Sequence, residues 1–305
     1  MIPTSVEALI EELAGDNTSG AAEIASRGSE LLALFADAAE AEDASSFLRQ
    51  LATTGKALIR AQPSMAPLFN LVNYAITSLE GVQDVGAARQ VLKTAAEAYG
   101  EELGRRCERI AEQALALLTN GSSVLTHSRS STVLAALLLV RERGLDFEVV
   151  CTESRPIYEG RTVAARLAQE AIKVTLITDS AAGHFVSRVD VVLVGADSVS
   201  GDGLVNKMGT YPIALAARAQ GVPFYALCGT EKFLPADYPY FHIDSQDPQE
   251  VWPGHPEEVQ VLNLYFDVTP LEYVSGVVTE EAILSRDALE DVLGRLRVHE
   301  MLLHE

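Results

Sequence analysis

Residues 149–171 read VVCTESRPIYEGRTVAARLAQEA. An apolar run ends at Cys151, then Glu153, Arg155, Gly160 and Arg161 lead into an amphipathic pattern. Guanidinium forks suit phosphate and carboxylate. A helix N-terminus adds unpaired N–H groups and the positive end of a dipole. Arg155 and Arg161 therefore mark a candidate anion-binding turn, against the plainer reading of a solvated polar loop. A second polar turn lies at Thr126, His127, Ser128, Arg129, Ser130 and Ser131, just after the apolar residues Val124 and Leu125. Its hydroxyls suit a phosphate cradle or, more simply, a helix cap at Ser130 or Ser131. His127 and Ser128 are neighbours on an extended segment and point to opposite faces, so they make a poor base–nucleophile pair. A third cluster follows VVLVGAD: Asp197, then Asn206, Lys207, Gly209 and Thr210. A carboxylate near a lysine can do acid–base work, or can be a buried pair that holds a loop.

All three clusters follow apolar runs. Ser123–Thr126, Phe147–Cys151, Val174–Thr178, Val189–Val194 and Pro223–Cys228 read as strands, and helical patterns separate them at Ser131–Arg143, Thr162–Glu170, His184–Arg188 and Thr210–Gln220. Aliphatic strands alternating with helices predict a parallel sheet buried on both faces, with ligands held beyond the strand C-termini. The first ~118 residues give no strand pattern. Ala-rich helical segments fill 18–40, 43–58, 64–80 and 84–118, with breaks at Pro63 and Pro67. The expected architecture is α/β: an N-terminal helical domain, 1–118, followed by a parallel-sheet domain, 119–305. Residues 229–258 read as loop, and the tail from Val261 as one or two strands and a final helix.

The chain has 305 residues, 48% of them apolar, which is a globular composition. Its formal charge of −20 argues against nucleic-acid or anionic-membrane partners, which require basic surfaces. Arginine dominates the basic residues, with only 5 lysines. Three cysteines, none in a CxxC pair, give no basis for a disulfide framework or a Cys-rich zinc site and point to a reducing cytoplasm. The segment MIPTSVEALIEELAGD lacks the basic and apolar regions of a signal peptide. No apolar run has transmembrane length. Neither G-x-G-x-x-G nor the Walker A pattern occurs, so no nucleotide cofactor and no metal is expected.

TESRPIYEGR, GADSVSGDGLVNKMGT and the later FDVTPLEYVSGVVTEE (Phe266–Glu281), with weaker support from SRGSE and AQPSMAPLFNLVNYA, resemble the family of the translation initiation factor 2B alpha, beta and delta regulatory subunits. That family also holds isomerases of methylthioribose 1-phosphate and ribose 1,5-bisphosphate. The resemblance implies a Rossmann-like C-terminal domain that carries a phosphosugar crevice and associates into a homodimer or larger assembly. It implies that Arg27, Gly28, Arg155, Asn206 and Lys207 bind the sugar phosphate and that Asp197 is catalytic. The isomerases pair that Asp with a Cys in a Thr-His-Cys context; here the position is Ser128. They also tend to carry Ala-Arg-Pro-Thr where this chain has Ala61, Gln62, Pro63 and Ser64. A thiol, with an ordinary pKa of about 8.5, can serve as proton donor in ring opening, whereas an unactivated hydroxyl is a far weaker acid. Cys151 and Cys228 are weaker candidates for a substitute donor. The expectation is a phosphosugar- or nucleotide-binding regulatory protein, with an aldose-1-phosphate to ketose-1-phosphate isomerase as the alternative.

Overall fold

A computed structural model of the chain describes residues 2–16, 19–235, 238 and 242–303. It divides into two compact units: 1–105 with 231–242 and 293–305, and 106–230 with 243–292.

The first unit is helical. Its helices are α1 (Thr4–Ala14), α2 (Ala21–Ala38), α3 (Ala44–Ala61), α4 (Ala66–Thr77) and the first part of α5 (Val85–Ala114). Local chemistry sets the boundaries. The Asp43 carboxylate accepts from the Ser46 N–H and caps α3, and Pro67 sits in the first turn of α4, where its missing N–H costs nothing. Phe35, Phe47, Leu51, Leu58, Leu68 and Val72 are buried and line the helix contacts. Each such side chain contributes about 1.5–3 kcal/mol of burial. Two later stretches of chain return to this unit. Asn70 Nδ2 donates to the carbonyls of Glu231 (2.7 Å) and Phe233 (2.8 Å). Asn73 accepts from the His299 N–H (2.8 Å).

The second unit is α/β. Its strands are β1 (Ser123–Thr126), β2 (Glu148–Thr152), β3 (Lys173–Ile177), β4 (Val191–Val194), β5 (Ser198–Ser200), β6 (Gly203–Lys207), β7 (Phe224–Leu227), β8 (Phe266–Thr269), β9 (Gly276–Val278) and β10 (Ile283–Leu284). Helices α6 (Ser131–Glu142), α7 (Glu159–Gln169), the short α8 (Ala182–Phe185) and α9 (Thr210–Gln220) connect strands, and α10 (Arg286–Leu293) follows β10. The main sheet has the order β10-β9-β7-β4-β1-β2-β3. All its pairings are parallel except β10 against β9. The five expected strands are present, and β9 and β10 extend the sheet. Val124, Val149, Val191 and Leu193 pack on Val133, Leu137, Val163 and Leu167, which buries the helix-facing side of the sheet. Successive strands run outward from β1 through β2 to β3, and then on the other side from β4 through β7 to β9. The order therefore reverses between β1 and β4, and a doubly wound sheet opens its ligand crevice at that point.

A second, three-stranded antiparallel sheet, β5-β6-β8, was not expected. It changes the placement of Asn206 and Lys207. Sequence reading had them only as preceding a helix; they lie on β6, paired with Asp267 and Phe266 of β8.

Candidate functional site

Three polar turns follow β1, β2 and β4, and the second unit ties them together. Where β1 ends, His127 is buried. Its Nε2 lies 3.0 Å from the Met208 carbonyl and its Nδ1 2.7 Å from Thr152 Oγ1. A carbonyl can only accept, so Nε2 carries the proton. Burial pulls the imidazole below its ordinary pKa, which keeps the ring neutral and makes Nδ1 the acceptor. Thr152 Oγ1 then donates to Nδ1 and accepts from Ser154 Oγ at 3.1 Å. Ser154 Oγ in turn accepts the Ser128 backbone N–H at 2.8 Å. The result is a one-directional chain of donors from the β1 turn through the β2 turn to the loop before α9. His127 does not pair with the Ser128 hydroxyl; it supports the turn from beneath.

The β2 turn is held from the next strand. Asp179, just beyond β3, accepts the N–H groups of Ser154 and Arg155, each at 2.7 Å. Gly160 answers the question its position raised. A Cβ there would lie 1.9 Å from the Thr152 carbonyl oxygen, so only glycine lets α7 start this close to β2. The Arg155 guanidinium donates to the Tyr158 hydroxyl and, at 2.9 Å, to the Val251 carbonyl. Arg161 is more exposed: it pairs with Glu153 at 2.8 Å and stacks over the Tyr158 ring at 3.7 Å. The two arginines thus share one aromatic ring, and each has a protein partner.

The third turn reaches the other two through β6. Lys207 is only 5% exposed, and its ammonium lies 4.2 Å from the centre of the Tyr265 ring. Its Nζ pairs with Glu159 Oε1 at 2.7 Å, and Ser128 Oγ donates to the same oxygen at 3.1 Å. Ser128 itself sits at φ 70°, a left-handed conformation uncommon outside glycine. Asn206 Nδ2 donates to Thr210 Oγ1 at 2.9 Å, and Thr210 Oγ1 donates to the Lys207 carbonyl at 2.6 Å. Asp197 follows β4 and is half-buried, with its backbone N–H on the Val205 carbonyl at 2.8 Å. A Cβ on Gly195 would lie 2.7 Å from Ser130 Oγ, so the β1 and β4 turns are in contact. Ser130 caps α6 by accepting the Val133 N–H, as the simpler reading of that serine had it. At the N-terminus of α9, the Asp267 carboxylate accepts from Gly209 (2.8 Å) and Tyr211 (3.1 Å). Burial still pushes it up to about 6.

In the helical unit, Arg27 is bound by Glu12 and Asp16, each at 2.7 Å. Gly28 is buried, and a Cβ there would meet Leu68 at 2.6 Å, so its role within that unit is close helix packing. Gln62 donates to the carbonyls of Leu13 and Asp16, each at 2.9 Å. Cys151 is core, its thiol pushed up to about 12 by burial, which rules it out as a ready proton donor. Cys228 is fully buried after β7. Among the described residues, no group of three His, Cys, Asp or Glu side chains is placed to hold a metal, and no helix is long and apolar enough to cross a membrane.

Sequence reading missed Glu159 and Thr152 and passed over Ser154. Glu159 lies inside the PIYEGR motif, directly before the glycine that fixes the turn. Its place in the motif was the only signal available.

A parallel sheet in the 3-2-1-4 order, with a buried lysine and hydroxyl-rich turns at its switch point, and with a helical unit in the same chain, defines a doubly wound α/β protein. The profile of the Initiation factor 2 subunit family matches residues 17–285, and the chain belongs to that family. A ribose 1,5-bisphosphate isomerase of Archaeoglobus fulgidus is 36% identical over 281 residues, covering 88% of this chain and 86% of its own. A methylthioribose-1-phosphate isomerase of Bacillus licheniformis is 33% identical over 287 residues, covering 87% and 80%. The crystal structure of the translation initiation factor eIF-2B of Pyrococcus horikoshii OT3 superposes with a TM-score of 0.80 at 31% identity, covering 94% of this chain and 99% of that one.

Proposed function

We propose that this chain binds a phosphorylated sugar or nucleotide in the crevice beyond β1, β2 and β4, and that it acts as a regulatory binding protein with little isomerase turnover. The observation that carries this reading is Ser128. Its hydroxyl stands where the resemblance places the isomerases' thiol, and it donates to Glu159, a carboxylate already balanced by Lys207. A hydroxyl in that setting has a hydrogen-bond acceptor but no feature that would turn it into a strong acid. The buried ammonium of Lys207 and the arginine turn supply charge for an anion, and binding needs no thiol.

Asp197, Asn206 and Lys207 favour the second reading, an aldose-1-phosphate isomerase. There Asp197 would relay the proton or stabilise the sugar alkoxide while Ser128 assisted. One experiment separates the two: calorimetric titration with ribose 1,5-bisphosphate and methylthioribose 1-phosphate, followed by phosphorus NMR of the same mixtures. Binding with the ester unchanged supports the regulatory reading. Rapid conversion to the ketose phosphate supports the isomerase. No binding of either ester rejects the isomerase, and no binding of a nucleoside monophosphate in the same titration rejects the regulatory reading as well. Self-association through residues 119–305 in the cytoplasm belongs to the same proposal, and light scattering of the purified chain tests its oligomeric part.

A further inference from the structure

Glu159 is oddly placed for a site that is to receive a phosphate. Its side chain is 11% exposed, and Oε1 takes both Lys207 Nζ and Ser128 Oγ. Its second oxygen, Oε2, is buried and has no hydrogen-bond partner. A buried ionised carboxylate ordinarily uses both oxygens, since each unmatched acceptor costs about 1–3 kcal/mol. The Lys207 ammonium, 5% exposed and resting over the Tyr265 ring, is a buried positive centre, and a negative charge of the chain itself already sits on it. Glu159 is also the first residue of α7, so it lies in the helix's first turn.

Resting on the phosphate-ester reading above, we infer that Glu159 is a built-in counter-ion that competes with an incoming phosphate for Lys207 and so sets how tightly the crevice holds phosphate esters. The anionic ligand and the carboxylate cannot both keep short contacts to one buried ammonium without like-charge repulsion. In the unliganded chain the carboxylate holds the Lys207 and Ser128 side chains ready in place. A phosphate enters only by displacing Oε1 or by tolerating it. The residue therefore makes the site selective: weak for inorganic phosphate, and useful only to a ligand whose other groups compensate. A sugar hydroxyl that donates to the unpartnered Oε2 is such a group.

The test uses the full chain and inorganic phosphate as the probe. Glu159→Gln keeps the shape and removes the charge; Glu159→Ala removes the side chain and tolerates any amide misorientation. Circular dichroism checks that each variant is folded, and one folded variant suffices. Calorimetry should show at least tenfold tighter phosphate binding than wild type, the size expected when a like charge leaves an anion site. Ribose 1,5-bisphosphate should gain less than inorganic phosphate does, because its hydroxyls lose their acceptor. If wild type binds the bisphosphate and a folded variant binds phosphate no more tightly than wild type, the counter-ion role fails while the functional reading stands. If wild type and variants all bind neither probe, the crevice is not a phosphate site and both fall. If both variants unfold, Glu159 is a structural anchor of the α7 turn and the inference is overturned.

Discussion

Replacing Gly160 by alanine should be among the most damaging single-methyl changes in this chain. The added Cβ would sit 1.9 Å from the Thr152 carbonyl oxygen and 2.9 Å from Ser154 Oγ. Carbon–oxygen contacts in proteins begin near ~3.3 Å, so the start of α7 must retreat from β2 by about 1 Å or more. The obstacle is backbone. Thr152 is paired with Ile177 of β3, and the next N–H, that of Glu153, donates to the Ile177 carbonyl at 2.8 Å. That carbonyl cannot swing aside as a flexible side chain would. Overpacking in a tight region costs about 1–3 kcal/mol and occasionally more. A contact this short against a strand belongs at the upper end, about 3 kcal/mol, which lowers the melting temperature by roughly 6–12 °C for a unit of this size. Gly104 is the control. It lies exposed within α5, and nothing stands within 4 Å of where its Cβ would be. Gly104→Ala should stabilise by about 0.5–1 kcal/mol through helix propensity alone. Melting followed by circular dichroism at 222 nm reads both (222 nm being about the usual helix band). A Gly160→Ala chain that melts with wild type would show that the α7 turn is not held against β2 in this way.

Other changes probe the site itself. Arg155→Ala removes the donor to Val251 and half of the Tyr158 sandwich, and calorimetry should find phosphosugar affinity lower by about 2–3 kcal/mol; an unchanged value would remove Arg155 from the binding set. Ser128→Cys restores a thiol at that position while Asp197 is retained, and phosphorus NMR should show isomerisation at least ~10-fold faster than wild type, within the range of general acid–base effects. A wild-type rate equal to that of the variant would mean the hydroxyl already suffices. Asp267 predicts a pH dependence. Its carboxyl is held up to about 6 in the fold, against about 3.9 in an unfolded chain. The native state therefore keeps a proton between pH ~4 and ~6 that the unfolded chain has released, so this group's stabilisation is present at low pH and is lost as pH rises. The loss approaches 3 kcal/mol, and Asp267→Asn should abolish it. Urea melts of wild type and variant at about pH 4 and pH 6.5 that differ by the same amount at both pH values would contradict the shift.

The main sheet was legible because each of its central strands is a local event. Val149–Cys151 or Val191–Val194 is a continuous aliphatic run with a helix on either side, and nothing distant is needed to read it. The β5-β6-β8 sheet was not legible. SVSGDGLVNK is polar and glycine-rich, its hairpin turns at Gly201 and Asp202 before Gly203 opens β6 at φ 146°, and its third strand arrives from Phe266, about sixty residues later. For the same reason Lys207 was noticed without being assigned to a strand. Glu159 was harder still, being one acidic residue among 43 until Lys207 of another sheet comes to rest against it. The Ser128–His127 pair was set aside on alternation, although Ser128 leaves the extended conformation at φ 70°; that the imidazole instead holds Thr152 and Met208 required the fold.

The route of the chain through the helical unit has a consequence for synthesis. Phe233 and Leu302 are fully buried there, and Asn70 and Asn73 bond backbone groups of Glu231, Phe233, Arg297 and His299. Helices α1 to α4 are made before the sheet, but the partners of Asn70 follow it by 161 and 163 residues and those of Asn73 by 224 and 226. A helical unit begun before the sheet is thus completed only after it. A nascent chain stalled anywhere before residue 293 carries an unfinished helical unit, however well its sheet has formed.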